Sequence, residues 1–293
     1  MIDLDPTADY VVHGDNAVVL PQLPSGSVQL VYIDPPFNTG GRRDRRTLQT
    51  RRDPEVVADR TGFAGRRYST VETARRSYPD SFSDYAGFLA PRLEEARRLL
   101  TESGTLYVHL DWREAHYCKV LLDDIFGREC FLNEVIWAYD YGGRSKDRWP
   151  AKHDTLLVYV RTRGAHLFDQ DQIERIPYLA PTLVGPEKAA RGKLPTDVWW
   201  HTIVATGGRE KTGYPTQKPE GVLRRVLAPS TRPGDRVLDF FAGSGTTGAV
   251  AAATGRRYVL VDDNPDAVQV MRARLGDGPV YVDATGRVLV AEG

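Results

Sequence analysis

The stretch VLDFFAGSGTTG, residues 237–248, decides the reading of the fold. Val237, Leu238 and Asp239 end a β-favouring run. Gly243 and Gly245 make a tight turn, and a helix is expected to start at Thr246 or Thr247. Glycines let backbone approach a ligand closely, and a new helix offers unpaired N–H groups there. A strand running through such a turn into a helix is the unit of an open, mostly parallel α/β sheet. The string GSGTTG also fits the G-x-G-x-x-G pattern of dinucleotide binders, and a plain βα connection accounts for it as well.

Outward from this stretch, strands and helices alternate. Downstream come a helix in TTGAVAAATG, a strand in RRYVLVDDNP, a helix in DAVQVMRARL and a strand pair from Val280 onward. Upstream, PEGVLRRVLAPS reads as a helix. At the other end, YVVHGD and VQLVYID read as strands around a brief helical NAVVLPQL. Ser83 is placed to cap a helix in which Tyr85, Phe88, Leu89, Leu93, Ala96 and Leu100 recur at helical spacing, with Pro91 as a kink. A strand (GTLYVHLD), a helix stopped by Gly127, and two strands (NEVIWAYDY, HDTLLVYVR) follow. Alternation of this kind predicts an α/β fold with helices on both faces of a mostly parallel sheet. Residues 1–293 are expected to form one domain, with an irregular insertion at 164–213 and a loop at 41–80.

Composition narrows the class. The 293 residues are 41% hydrophobic and 27% charged, with 39 basic and 39 acidic side chains. Such values suit a soluble globular protein. No apolar run is long enough to span a bilayer, and the N-terminus lacks the build of a signal peptide. Cys118 and Cys130, the two cysteines, give neither a disulfide framework nor a four-ligand metal site, so a reduced, cytoplasmic protein is expected. The charge is uneven: Gly41 to Asp80 holds eleven arginines against six acids. A solvated loop explains that excess, and so does a phosphate-binding flap.

A second motif raises a chemical question. VYIDPPFNTG, residues 31–40, ends a buried strand in an acid, two prolines and an aromatic ring. The prolines restrict the chain, which suits holding Asp34, the Pro35 carbonyl and Phe37 in fixed relation to a ligand. A rigid strand end with an N-capping aspartate fits the tetrapeptide equally well. Asp239 lies just ahead of the glycine turn, where a carboxylate can meet an ammonium group. The next strand ends in Asp262-Asp263, the usual place for an acid that binds ribose hydroxyls. Adenosine carrying an amino-acid tail satisfies both acids, and S-adenosylmethionine is such a ligand.

Together, DPPF and DFFAGSGTTG resemble the two signature motifs of amino-group DNA methyltransferases. With DPPF first and the glycine motif some two hundred residues later, their order is that of the permuted beta class. HGDNAVVLPQLPSGSVQLVYIDPPFNTG, GTLYVHLDWRE, RWPAKHDTLLVYVR and YPTQKPEGVLRRVL are similar to further family segments, leaving roughly 41–75 and 165–195 outside the resemblance. It implies a Rossmann-like S-adenosylmethionine-dependent fold. Phe241, Gly243, Ser244, Gly245 and Thr246 would surround the cofactor, Asp262 bind its ribose, Asp15 its adenine end, and Thr216 and Lys218 its carboxylate.

By the same resemblance, Asp34 and the Pro35 carbonyl, stiffened by Pro36, would aim an exocyclic amino group, and Phe37 would stack on the flipped-out base. No metal is needed for this chemistry. Arg144, Lys146, Arg148 and Lys152, interleaved with aromatics, suit phosphate contacts and stacking on double-stranded DNA. The 164–213 insertion would then read sequence as a target-recognition region. An aspartate at the first motif position leans to the N6 amino group of adenine. The N4 amino group of cytosine is the alternative, and an RNA or protein amino group is more distant. A dinucleotide oxidoreductase and a non-catalytic DNA-binding module are rivals from other classes. A nucleoid-associated enzyme, a homodimer and a cognate restriction nuclease are compatible with the resemblance. Trp199, Trp200, His109 and His153 are assigned to core or surface.

Overall fold

The computed structural model describes residues 2, 5–39, 82–205 and 207–290, together with the backbone alone of 41–51, 60–61 and 67–80. In chain order the first elements are β1 (Tyr10–His13), α1 (Asn16–Val19) and β2 (Val28–Ile33). β3 (Gly41–Arg51), β4 (Arg60–Thr61) and β5 (Arg67–Asp80) follow. Next are α2 (Tyr85–Leu99), β6 (Leu100–Leu110), α3 (Ala115–Phe126), β7 (Phe131–Ala138) and β8 (His153–Val160). The rest comprises α4 (Pro186–Arg191), β9 (Val198–Trp200), α5 (Glu220–Ser230), β10 (Arg236–Asp239), α6 (Thr246–Ala253), β11 (Arg257–Asp262), α7 (Pro265–Leu275) and β12 (Val280–Asp283).

Nine strands form one sheet in the order β12-β1-β11-β10-β2-β6-β8-β7-β9. Pairing is parallel from β12 through to β6; β8 is antiparallel to both β6 and β7, and β9 is parallel to β7. The expected mostly parallel α/β sheet is therefore present. Every residue of β2 is buried, as a strand covered on both faces requires. α5 packs on β2, α6 on β11, α7 on β1 and α3 on β8. Leu30, Val31, Leu106, Val108, Leu156, Val237, Leu238 and Leu260 fill the interior at no measurable exposure.

Parallel strands put their C-terminal ends on one edge of the sheet, where ligands of such folds bind. His13, Asp262, Asp239 and Asp34 all come to that edge. β10 and β2 are neighbours, with Leu238 beside Val31. Thus Asp239 and Asp34, about two hundred residues apart in sequence, end adjacent strands.

Three expectations are corrected. The 41–80 segment is not a loop throughout: β3 and β5 pair antiparallel from Gly41–Asp80 to Arg51–Ser69, and β4 pairs with β5. Threonine, tyrosine and valine recur along this segment and favour strand, a signal masked by its arginines. Residues 1–293, expected as one domain, divide into two compact units. Residues 38–83 form one unit, and 1–37 with 84–293 form the other. The arginine side chains of the proposed phosphate flap lie outside the described residues. Finally, Asp84 rather than Ser83 caps α2, its Oδ1 accepting from Gly87 N–H at 2.8 Å. α2 runs on through Pro91 to Leu99, and α3 ends at Gly127 with φ 91°. The strand pair expected from Val280 is β12 plus a single antiparallel bridge, Val282 to Val288.

Candidate active site

The glycine turn is built by the acids around it. Gly243 and Gly245 have φ of 50° and 71°, a region that L side chains rarely enter. A Cβ on Gly245 would lie 2.8 Å from Met271 Cγ, so both the conformation and the space require glycine. Asp262 Oδ2 accepts from Gly243 N–H at 2.8 Å and its Oδ1 from Asn264 N–H at 2.9 Å. Asp239 Oδ2 accepts from Thr247 Oγ1 at 2.6 Å and its Oδ1 from Phe241 N–H at 3.1 Å.

Both acids titrate high. Burial pushes Asp239 up to about 7 against the hydrogen bonds from Thr247 and Phe241, with the Asp34 and Asp262 charges adding to the rise. Burial likewise raises Asp262 to about 6, helped by Asp263, while its two backbone hydrogen bonds pull the other way. A buried carboxylate with a raised pKa is short of positive charge. Each oxygen keeps a lone pair after these bonds. Together the pair suits a ligand that brings a cation to one acid and hydroxyl donors to the other.

Ser244 and Thr246 turn their hydroxyls into the protein. Their oxygens lie 3.1 Å apart, and Thr246 Oγ1 donates to the Lys218 carbonyl at 3.1 Å. Arg274 donates to Thr246 Oγ1 at 3.0 Å and to Glu220 Oε1 at 2.9 Å. These side chains brace the turn, leaving its backbone to face a ligand. Half-buried Phe241 packs at 6.1 Å from Phe88, whose ring carries the Arg92 guanidinium at 4.1 Å. Asp15 is 54% exposed, accepts from Ala17 N–H at 2.8 Å as the N-cap of α1, and pairs with Arg92 at 3.3 Å. Its neighbour Asn16 is buried and donates to the Phe240 carbonyl at 2.7 Å. Asn16 and Arg92 are not among the residues the sequence singles out, and Phe88 is there only as part of a helical apolar face; an arginine at helical spacing from Phe88 on α2 is the available signal.

At the next strand end, Asp34 and Phe37 meet Lys218. Lys218 Nζ lies 2.8 Å from Asp34 Oδ1, a charge contact not aligned as a hydrogen bond, and 4.7 Å from the Phe37 ring centre. Pro35 is buried and Pro36 half-buried behind them. Thr216 is exposed, whereas Gln217 is buried and accepts from Thr212 N–H and Oγ1. Thus the structure brings Asp34, Phe37, Lys218, Asp239, Asp262 and the glycine turn to one edge, while Thr216 and Asp15 point largely to solvent. His109, for which the sequence offers a core or a surface place, is buried and also at this edge, 4.0 Å from Asp34 Oδ1.

Arg144, Lys146 and Arg148 are exposed on the β7–β8 loop, beside Tyr141 and the 95% exposed Trp149. Lys152 donates to the Gly142 carbonyl at 3.1 Å and closes the loop. Of the tryptophan pair, Trp199 is buried and Trp200 exposed, as alternation on the edge strand β9 dictates. None of the described helices is long and apolar enough to cross a membrane.

An open, mostly parallel α/β sheet with a glycine turn between two raised acids is a Rossmann-like S-adenosylmethionine-dependent methyltransferase fold. The DNA methylase family model N6_N4_Mtase matches residues 28–273, and the chain belongs to that family. It is 27% identical to the DNA adenine methyltransferase YhdJ of Escherichia coli over 281 residues, 92% of this chain and 83% of the relative. Two solved structures share the fold. PvuII DNA methyltransferase, cytosine-N4-specific, has a TM-score of 0.59 at 15% identity, covering 94% of this chain and 95% of that one. The M1.HpyAVI–SAM complex has a TM-score of 0.57 at 17% identity, covering 91% and 98%.

Proposed function

We propose that this chain methylates the N6 amino group of adenine in double-stranded DNA, by direct displacement on a flipped-out base. At the coarser level it is an S-adenosylmethionine-dependent DNA amino-methyltransferase. The observation that carries the proposal is the adjacency of Asp34 and Asp239 at neighbouring strand ends, which sets a hydrogen-bond acceptor for an amino group beside a cation-seeking cofactor turn. Choice of adenine rests on aspartate at position 34 and on the likeness to YhdJ.

S-adenosylmethionine, when bound, supplies a methyl group on a positively charged sulfur. The chain's residues do the rest. Asp239 meets the cofactor's ammonium group, Asp262 its ribose hydroxyls, and the N–H groups of the turn and of α6 its remaining polar atoms. Phe241 borders its adenine, and Asp15 stands at that end through the α1 cap. Lys218 and Thr216 serve its carboxylate. An exocyclic amino nitrogen is a weak nucleophile because its lone pair is delocalised into the ring. Asp34 and the Pro35 carbonyl would accept its two N–H bonds, aim the lone pair and stabilise the positive charge that develops; with the neutral thioether as leaving group, the nitrogen would give its extra proton to Asp34 or to water. Phe37 stacks on the base, and Pro36 keeps the stretch rigid.

An intact duplex hides that nitrogen, so the base must leave the stack at a cost of a few kcal/mol. Arg144, Lys146, Arg148 and Lys152 contribute phosphate contacts toward that cost, and 164–213 reads the sequence as an inserted target-recognition region. Cytosine N4 is the second reading, favoured by the fold shared with the cytosine-N4-specific PvuII enzyme. Nucleoside mass spectrometry of DNA incubated with protein and S-adenosylmethionine tests both: N6-methyladenine supports the first, and N4-methylcytosine replaces it with the second.

A further inference from the structure

Beneath Asp34 and Phe37 lies a buried polar chain that packing alone does not require. His109 on β6 is fully buried. Its Nδ1 is 2.8 Å from Tyr32 Oη on β2, and its Nε2 is 3.1 Å from Asp154 Oδ2 on β8. Tyr139, just past β7, donates to Asp154 Oδ1 at 3.0 Å. With Tyr32 donating to Nδ1 and Nε2–H donating to Asp154, no member of the chain is left without a partner. Such a network stabilises a core no better than apolar residues of the same volume, but it fixes orientation.

What it orients is the DPPF stretch. The imidazole packs against Phe37 at 5.9 Å between ring centres and edge-on to Trp137 at 5.4 Å. Asp34 Oδ1 stands 4.0 Å from Nδ1. At its far end the chain meets the basic loop: Tyr139 and Asp154 flank residues 140–152, and Tyr139 N–H donates to the Lys152 carbonyl at 3.0 Å. The neck of that loop is thereby tied to the ring behind Phe37.

We propose that His109, held by Asp154 and Tyr139, is a positioning residue that fixes Phe37 and Asp34 on the target base and couples them to docking of the 140–152 loop. The inference rests on the DNA-methyltransferase reading above.

Single-turnover methyl transfer to DNA, steady-state kcat and KM, cofactor titration and melting temperature, measured on His109→Phe, His109→Gln and Tyr139→Phe, test it. His109→Phe is expected to slow transfer about a hundredfold, the usual cost of a misplacement near 1 Å, with cofactor affinity unchanged within about twofold. His109→Gln keeps a donor for Asp154 and is expected to recover about tenfold of the loss. Tyr139→Phe removes the hydroxyl bond to Asp154 at the neck of the loop and is expected to raise KM for DNA more than it lowers kcat. Wild-type rates in folded His109→Phe overturn the inference alone, as does a loss that only tracks melting temperature with glutamine no better than phenylalanine. A wild-type chain that transfers no methyl group to DNA overturns the underlying reading as well.

Discussion

Lys218 Nζ sits 2.8 Å from Asp34 Oδ1, and the two side chains are only 12% and 15% exposed. The lysine backbone is anchored at the same time, its carbonyl accepting from Thr246 at the start of α6. One residue therefore spans the cofactor turn and the acid that would receive the target amino group. An incoming amine competes with the ammonium for that carboxylate, and a cofactor carboxylate offers the ammonium a new partner. Lys218→Met is expected to weaken cofactor binding about tenfold, or about 1.4 kcal/mol, with Lys218→Arg within a few-fold of wild type. Calorimetric titration checks this, and unchanged affinity in Lys218→Met would remove the lysine from the cofactor site.

The raised acids give a pH dependence whose sign is fixed. Asp239 titrates near 7 in the fold against an ordinary 3.8, and Asp262 near 6. The folded chain holds these protons more tightly than the unfolded one. Their stabilising contribution is complete below about pH 4 and is lost as pH rises through 6 to 7. It is worth on the order of a few kcal/mol. Melting of the cofactor-free protein between pH 5 and 8 should show the decline, and Asp239→Asn should flatten it. A variant profile that runs parallel to wild type would contradict the assignment.

Cofactor binding should run the other way. Ionised Asp239 is the form that attracts an ammonium group, so affinity is expected to rise from pH 6 to pH 8, and Asp239→Asn to abolish most of the rise. Titrations at the two pH values decide it; equal slopes in wild type and variant would place the ammonium elsewhere.

The β7–β8 loop makes an electrostatic prediction. Replacing Arg144, Lys146 and Arg148 together by alanine removes up to three phosphate contacts. The slope of log affinity for DNA against log salt should then fall by roughly two to three. A triple variant with the wild-type salt slope would show these cations to be a solvated surface.

The glycine turn and its two acids, the proposed cofactor edge, are legible in sequence because their signal is local. Gly243, Gly245 and Asp239 lie within seven residues, and Asp262 ends the next strand. DPPF was legible for the same reason. The contacts among Asp34, Lys218, His109 and Asp154 are not, because they join elements far apart in the chain: β6 inserts between β2 and β8, and Lys218, just before α5, reaches Asp34 at the end of β2. A lone histidine in an apolar strand carries no sign of its neighbours on adjoining strands. Asp84 displaced Ser83 as a cap by a single residue, within the usual ambiguity of a helix start. In the 41–80 ribbon the density of arginine conceals the β propensity of its threonines, tyrosines and valines.

The most direct test of the account is mass spectrometry of nucleosides from the DNA of a methylation-free host expressing either the wild-type chain or Asp34→Ala. The account predicts N6-methyladenine with the wild type and none with Asp34→Ala, although the variant still binds S-adenosylmethionine with near wild-type affinity. Methylated DNA from the Asp34→Ala host, or unmodified DNA from a host expressing folded, cofactor-binding wild type, would contradict it.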